Sequence, residues 1–271
     1  MNEDILTGNA SPASLTFIDT HCHFDFPPFS GHEAQSLAQA AAAGVGRIIV
    51  PTVTADYFPR VLALAAQYAP LYAAIGLHPL YIAQHDDAAL ARLERTLEQR
   101  PPKLAAVGEI GLDRYMDEPQ FDRQRALLES QLRLAKRYDL PVILHSRRTH
   151  DHLAQMLRRI SLPRNGVVHG FAGSAEQALA FVRLGYLIGV GGTISYERAS
   201  KTRRAIARLP LTSLLLETDA PDMPVAGYQG QPNRPERIRD IFHALCQLRS
   251  EPPGAIAAAL RQNTLRLFNL K

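Results

Sequence analysis

Two histidines one residue apart, His21 and His23 in the stretch DTHCHFDF, have a type and spacing that could bind a metal. In an extended strand, residues i and i+2 project to the same side, so both imidazoles would face one site. Cys22 would point the other way, and we interpret it as a small apolar residue rather than a ligand. Because a His-x-His pair alone is a weak signal, the prediction depends on matching ligands elsewhere.

Four further metal-ligating side chains follow or end short apolar runs: Glu109 in LAAVGEIG, His145 after PVIL, His169 in GVVHG and Asp219 in SLLLETD. A buried carboxylate needs a partner, because burying it unpaired costs several kcal/mol. The alternatives are a salt bridge for the glutamate, core positions for the histidines and a turn cap for the aspartate. Four imidazoles and two carboxylates exceed one four-coordinate site. They fit two cations that share a carboxylate, which suits displacement at phosphorus.

The elements that must position these residues alternate along the chain. Apolar runs typical of strands buried on both faces are separated by segments with helical spacing. The eight runs are residues 15–19, 47–51, 71–76, 104–111, 141–145, 166–170, 186–192 and 213–219. Eight such units in about 250 residues predict an α/β fold, a (β/α)8 TIM barrel, with a doubly wound sheet as the alternative. Active sites of these barrels lie at the carboxyl ends of the strands, where the ligand-type residues occur.

Composition limits the classes of protein that this chain can represent. Its 271 residues are 46% hydrophobic, and its net charge of +4 is mild basicity that is compatible with an anionic substrate. Two cysteines make no disulfide framework, so we expect a cytoplasmic protein. The acidic start is unlike a signal peptide, and no run approaches the roughly 20 apolar residues of a membrane helix. We predict a flexible tail, 1–14, and one domain, 15–271, without an obligate protein partner.

Five polar side chains are candidates for substrate contacts around the barrel mouth. His78, in the GLHP stretch before a proline turn, could contact a phosphate or support the structure. Arg147 and Arg234 could clamp a phosphate through two parallel hydrogen bonds. Arg198 and Lys201 follow the seventh run, where contact with a phosphate or base competes with a solvated helix start.

Two carboxylates are interpreted as supports that lie behind the metal ligands. Glu217 is two residues before Asp219 and would share its face one layer deeper. Asp113 could support a ligand, contact the edge of the substrate or cap a loop. The remaining histidines occur in helix or loop patterns and are expected to face solvent. They are His32, His85, His150, His152 and His243.

Seven motifs carry a resemblance to a known family: DTHCHFD, GLHP, VGEIGLD, HSR, VHGF, LLETDAP and PNRPE. They occur in the order seen in the TatD-type metal-dependent hydrolases, a branch of the amidohydrolase-like barrels, which the chain resembles over residues 17–270. The resemblance implies two sets of metal ligands joined by a bridging carboxylate. They are His21, His23 and Asp219 for the first metal, His145 and His169 for the second, and Glu109 as the bridge. Ala172 replaces a serine of many relatives, which leaves the ligands intact.

Two classes of function follow from these observations. The first is a two-metal hydrolase of phosphoester bonds, in which Glu109 sets the metal spacing and Asp219 orients the attacking water. The resemblance favours a DNase, and a 3′→5′ exonuclease is one form that this activity could take. The alternative within this class is a small-molecule phosphodiesterase, phosphatase or other ester hydrolase, because aromatics are 7% and tryptophan is absent. The second class is a non-catalytic barrel that binds metal or nucleic acid.

Metal identity follows from ligand chemistry. Imidazole-rich sites suit zinc, whereas magnesium prefers oxygen ligands and retains water. The family's nucleases are described as magnesium-dependent, which fits four histidines poorly. We therefore expect two divalent ions per chain, zinc as isolated, with magnesium or manganese as alternatives that support nuclease activity.

Overall fold

One sheet of eight parallel strands organises the computed structural model, which describes residues 16–270. The order of the strands across the sheet is their order along the chain. The strands are β1 (Phe17–Asp19), β2 (Val45–Pro51), β3 (Leu71–Ile75), β4 (Leu104–Asp113), β5 (Val142–Arg147), β6 (Gly166–Val168), β7 (Leu187–Val190) and β8 (Leu214–Leu216). Each predicted run overlaps one strand, and β2, β4 and β5 extend beyond their runs by two residues. The predicted tail, 1–14, lies outside the described residues.

Helices follow the strands and cover the outside of the sheet. They are α1 (Glu33–Ala42), α2 (Phe58–Gln67), α3 (Asp87–Glu98), α4 (Phe121–Arg137), α5 (His150–Arg159), α6 (Ala175–Arg183), α7 (Ser200–Arg208), α8 (Ile238–Leu248) and α9 (Pro253–Phe268). Short 3₁₀ helices occupy Ala55–Tyr57, Pro79–Gln84, Gly192–Ser195, Leu211–Ser213 and Pro235–Arg237. Within the described chain, no helix combines the length and apolar character that crossing a membrane would require.

The sheet closes between its first and last strands. The backbone N–H and the hydroxyl of Thr20 both donate to the carbonyl of Leu216, at 3.1 and 3.0 Å. Farther along, the Asp219 N–H donates to the carbonyl of His21, and the His23 N–H donates to that of Ala220, both at 2.8 Å. Sequential strand order with this closure confirms the (β/α)8 barrel and excludes a doubly wound sheet, whose strand order reverses.

An apolar layer inside the barrel lies directly below several of the predicted site residues. Ile143, Val167 and Leu215 are buried together in the smaller of two apolar clusters. The residues two positions later are His145, His169 and Glu217. Because side chains alternate along a strand, these polar groups lie on the inner face one layer above the apolar side chains. The larger cluster, which includes Ile48, Val50 and most buried apolar residues of the helices, fills the space between sheet and helices.

Cys22 belongs to that larger cluster and is completely buried. Its N–H donates to the carbonyl of Ile49 at 3.1 Å. The position agrees with the prediction that Cys22 packs as an apolar residue while its neighbours His21 and His23 face the barrel interior.

Candidate metal centre

The six predicted ligands meet at the carboxyl ends of the strands. Glu109 lies within β4 and His145 within β5. The other four directly follow strands: His21 and His23 come after β1, His169 after β6 and Asp219 after β8. Glu109 is 1% exposed and His21 is 0% exposed, whereas the side chains of His145 and Asp219 are 16 and 18% exposed. Residues separated by nearly 200 positions therefore share one small volume.

The first ligand set brings four atoms together at nearly equal distances. The Nε2 atoms of His21 and His23 are 3.4 Å apart. Oε2 of Glu109 lies 3.1 and 3.4 Å from these nitrogens, and Oδ1 of Asp219 lies 3.4 and 3.7 Å from them. Tetrahedral coordination with bonds of about 2.0–2.1 Å separates neighbouring ligand atoms by roughly 3.3 Å. The four atoms therefore fit around one cation.

The second ligand set uses the other oxygen of Glu109. Oε1 lies 2.6 Å from Nε2 of His169 and 3.0 Å from Nδ1 of His145. These two nitrogens are 3.4 Å apart. The carboxylate thus presents one oxygen to each set, which is the arrangement that a carboxylate bridging two cations requires.

Two carboxylates stand behind the second set. The His145 Nε2 faces Oδ2 of Asp113 at 2.7 Å, which leaves Nδ1 directed toward Glu109. On His169, Nδ1 is 3.6 Å from Oε1 of Glu217, which also accepts the N–H of Gly170. The contact with Asp113 fixes the ring orientation and the tautomer of His145, whereas Glu217 lies beyond hydrogen-bond distance of His169.

Burial and mutual contacts shift the pKa values of the cluster. Burial opposes ionisation of Glu109, but nearby imidazoles, led by His169, hold its pKa well below the usual range. Burial similarly opposes the charged form of His23, but Glu109 outweighs it and raises the pKa of His23 to about 9. Burial raises the pKa of Asp219 to about 7. Among the described residues, Oε2 of Glu109 accepts no hydrogen bond. Because an unsatisfied buried oxygen is costly, a cation at this position fits the residues present.

His78 presents a hydrogen-bond donor to the same carboxylate. The N–H of Leu80 donates to Nδ1 of His78 at 3.0 Å, so the neutral ring carries its proton on Nε2. That nitrogen lies 2.8 Å from Oε1 of Glu109. Burial lowers the pKa of His78 to about 4, which keeps the ring neutral. His78, Glu109 and His145 are close enough to hold an ion, but this tautomer makes His78 a donor to oxygen instead.

Three of the predicted substrate-contact cations lie near the mouth. Arg147 is exposed, and its guanidinium carbon lies 3.8 Å from the ring centroid of Tyr115. The guanidinium carbon of Arg198 lies 4.9 Å from the ring centroid of Tyr196. Lys201, in the first turn of α7, is exposed and lines a surface cleft. Their contacts with substrate remain predictions.

Arg234 is engaged within the protein. Its Nε lies 3.2 Å from Oε1 of Glu236, and its Nη2 donates to Oε1 of Gln39 at 2.6 Å. The guanidinium carbon also lies 5.5 Å from the ring centroid of Phe29. These contacts engage two of the three guanidinium nitrogens, so the role of Arg234 in substrate binding stays a prediction without support from this arrangement.

Two of the histidines predicted to face solvent are buried, and the prediction is wrong for them. His85 and His150 are 4% and 8% exposed. Nε2 of His85 donates to the carbonyl of His78, and Nε2 of His150 donates to that of Ala172, both at 2.8 Å. Sequence position near a helix end did not reveal these long-range contacts.

Asp19, for which the sequence pattern predicts no role, connects the first strand to the loop after the last strand. Its carboxylate accepts the N–H of His21 at 3.2 Å. It also accepts the N–H and the hydroxyl of Thr218, at 3.0 and 2.5 Å. Burial raises the pKa of Asp19 to about 7 against these hydrogen bonds. Asp19 therefore connects the backbones that carry His21 and Asp219.

Roles for Asn233 and Asp25 were also not predicted from the sequence. The side-chain NH₂ of Asn233 donates to the carbonyls of Thr218 and Met223, at 2.9 and 3.1 Å, and so holds the loop that carries Asp219. Asp25 is 4% exposed, and neither of its carboxylate oxygens has a hydrogen bond among the described residues. Its spacing of two residues after His23 was the signal available in the sequence.

Comparison with known proteins gives a consistent result. A family model described as TatD related DNase matches residues 18–269. The metal-dependent hydrolase YjjV of Escherichia coli K12 is 66% identical, over 94% of this chain and 98% of its own. A metal-dependent hydrolase of Haemophilus influenzae is 48% identical, over 94% of this chain and 100% of its own.

Solved structures agree with this result. The crystal structure of Escherichia coli YjjV, described as a TatD homologue, matches with a TM-score of 0.93 over 94% of this chain and 98% of that one. An amidohydrolase from Saccharomyces cerevisiae matches with a TM-score of 0.76 at 18% identity, over 94% and 100%, and shows the amidohydrolase-like fold alone. Since the family model spans nearly the whole described chain, this protein belongs to the TatD-related DNase family.

Proposed function

We propose that this protein is a divalent-metal-dependent hydrolase of phosphoester bonds that acts on DNA as a nuclease. The observation that carries the proposal is the split arrangement around Glu109, whose two oxygens face different ligand sets. Its relatives in Escherichia coli and Haemophilus influenzae are named metal-dependent hydrolases, and the matching family is named for DNase activity. A 3′→5′ exonuclease is the form of activity that we test first.

The site residues have separate roles in such a reaction. When bound, divalent cations would activate water near neutral pH and stabilise the charge that develops on the phosphoryl oxygens. The side chain of Asp219 is 18% exposed, whereas that of Glu109 is 2% exposed, so a water in the mouth reaches Asp219. Asp219 therefore orients this water and accepts its proton. Nε2 of His78 lies 2.8 Å from Oε1 of Glu109 and orients this carboxylate, which holds the two ligand sets together.

We propose two ions per chain, with zinc as isolated and magnesium or manganese as alternatives. The substrate is DNA, and a small phosphoester is the alternative on the same centre. Oligomeric partners and membranes are not required by this proposal. One domain that spans residues 15–271 is supported by the membership of all eight strands in one sheet.

The experiment compares substrates on protein reconstituted with each metal. Metal-free protein is loaded with zinc, manganese or magnesium and assayed side by side on single-stranded DNA, RNA, bis(p-nitrophenyl) phosphate and p-nitrophenyl phosphate. We expect DNA cleavage that is lost in the Glu109→Gln variant and retained in His243→Ala, which changes an exposed histidine on α8. Cleavage of only the chromogenic esters would replace the nuclease with the small-phosphoester alternative. No hydrolysis under any condition would overturn the proposal.

A further inference from the structure

A cluster of one tyrosine and two arginines lies beside the second ligand set. The guanidinium carbons of Arg147 and Arg148 are 3.8 and 4.4 Å from the ring centroid of Tyr115. The Tyr115 N–H donates to Oδ1 of Asp113 at 2.6 Å, and the other oxygen of Asp113 contacts His145 at 2.7 Å. The cluster is therefore joined to the metal centre through a single carboxylate.

Both guanidiniums are available to an anion. Arg147 and Arg148 are exposed, and within residues 16–270 neither forms an ion pair with a carboxylate. Arg234, by comparison, is paired with Glu236. Exposed cations that stack on an aromatic ring keep their hydrogen-bond donors free while the ring restricts their motion.

A cleft of about 370 Å³ continues from Arg148 between the first turns of α5, α6 and α7. Its lining includes Arg148, His152 and Lys201, and Asp151 is its one carboxylate among the described residues. Lys201, like Arg148, forms no ion pair in the described part of the chain. The first turns of these helices carry partial positive charge, which adds to the attraction for anions.

Exposed apolar side chains are also concentrated at this end of the barrel. The large hydrophobic residues exposed in the described chain are Leu80, Tyr115 and Met223, at 45, 50 and 48%. They follow β3, β4 and β8 respectively, so all three lie at the mouth. Phe26 and Tyr57 form a stacked pair with centroids 5.0 Å apart. Although the sequence has few aromatic residues, apolar surface is therefore exposed at the barrel mouth.

We propose that Tyr115, Arg147, Arg148 and the cleft that ends at Lys201 form a binding track for a single nucleic acid strand beside the scissile phosphodiester. Bases stack on aromatic rings and guanidinium planes, which the Tyr115 cluster offers together. The neighbouring phosphates of the strand bind Arg148 and Lys201. This inference rests on the proposed phosphoester hydrolysis and adds that the substrate extends beyond one phosphate.

The test neutralises the cleft without touching the metal centre. Arg148 is replaced by asparagine, because its φ of 57° is tolerated better by asparagine than by alanine, and Lys201 is replaced by alanine. The matched control, R158A/R183A, removes two exposed arginines from the last turns of α5 and α6. Helix α5 is 10 residues long, so it spans about 15 Å and its last turn lies at the end opposite the cleft.

Metal-reconstituted enzyme is assayed on oligothymidylate and on the p-nitrophenyl ester of thymidine 5′-monophosphate. In R148N/K201A we expect kcat/KM for the oligonucleotide to fall about tenfold through KM, with the single-phosphate ester unchanged. The slope of log KM against log salt should decrease by about 1.4, since two phosphate contacts are lost. The control should match wild type on both substrates.

Other outcomes separate this inference from the function on which it rests. If both substrates are cut and R148N/K201A affects them equally or not at all, the track is overturned while the hydrolase stands. If neither is cut, the proposed function fails, and fluorescence anisotropy of labelled oligothymidylate still measures the track. Weakened binding in R148N/K201A alone supports the track, whereas equal binding in both variants overturns it. Replacing Tyr115 with phenylalanine should retain binding, and alanine should weaken it.

Discussion

Replacing Asp113 tests how strongly a carboxylate outside both ligand sets controls metal affinity. Asp113 is completely buried, and its two oxygens accept from different donors: Oδ1 from the Tyr115 N–H at 2.6 Å and Oδ2 from His145 at 2.7 Å. The second contact keeps the His145 proton on Nε2 and leaves the Nδ1 lone pair facing Glu109. Loss of such a support weakens metal affinity about 10–100-fold, which is about 1.4–2.8 kcal/mol.

Two substitutions separate loss of the contact from reversal of the tautomer. Asp113→Ala removes the partner of His145, and we expect the affinity of the second metal to fall within that range. Asp113→Asn keeps one oxygen, which the Tyr115 N–H occupies, so the amide NH₂ then faces Nε2 of His145. The ring must accept there and carry its proton on Nδ1, which blocks the metal-facing nitrogen. Asparagine should therefore reduce affinity at least as much as alanine.

The assay is a competition titration with a chromogenic chelator, combined with metal analysis of the purified variants. We expect the second ion to be weakened while the first, bound through His21 and His23, is retained. Asp117→Asn, an exposed position in the loop that follows Asp113, is the control and should behave as wild type. Thermal unfolding of the metal-free variants separates a loss of folding from a loss of affinity. Wild-type affinity in Asp113→Asn, or equal loss of both ions, would refute the tautomer argument.

Three further predictions concern the bridge, the first strand and two buried histidines. Glu109→Gln should lose at least one ion and nearly all activity, and two retained ions with near-normal turnover would contradict bridging. Cys22→Ala should leave metal content unchanged and lower the free energy of unfolding by about 1 kcal/mol; loss of metal would mean that Cys22 faces the centre. Burial lowers the pKa of His85 and His150 below the unfolded value of about 6.5. The unfolded chain then binds more protons than the folded chain. The two buried histidines therefore stabilise the fold above pH 6.5, and this contribution is lost as the pH falls toward the folded pKa values. Between pH 7.5 and 5.5, the free energy of unfolding measured with denaturant should decrease less in H85Q/H150Q than in wild type. Equal decreases would refute this.

The barrel and the placement of its predicted ligands were largely determined by the sequence alone. Alternating apolar runs and helical segments are local patterns, and eight repetitions restrict the topology to few folds. The positions of His145 and His169 at the ends of such runs placed them at one end of the barrel before any distance was known. These inferences succeeded because strand direction and side-chain alternation depend on neighbouring residues only.

The tertiary structure decided which atom faces which partner. The division of Glu109 between two ligand sets depends on residues from β1, β5, β6 and β8. The tautomer of His78 depends on the Leu80 N–H, and the pairing of Arg234 with Gln39 joins residues 195 positions apart. Tyr115 is one of few aromatic residues, yet it lies exposed beside two arginines at the mouth. Such contacts arise only when distant segments pack together, so no local pattern in the chain encodes them.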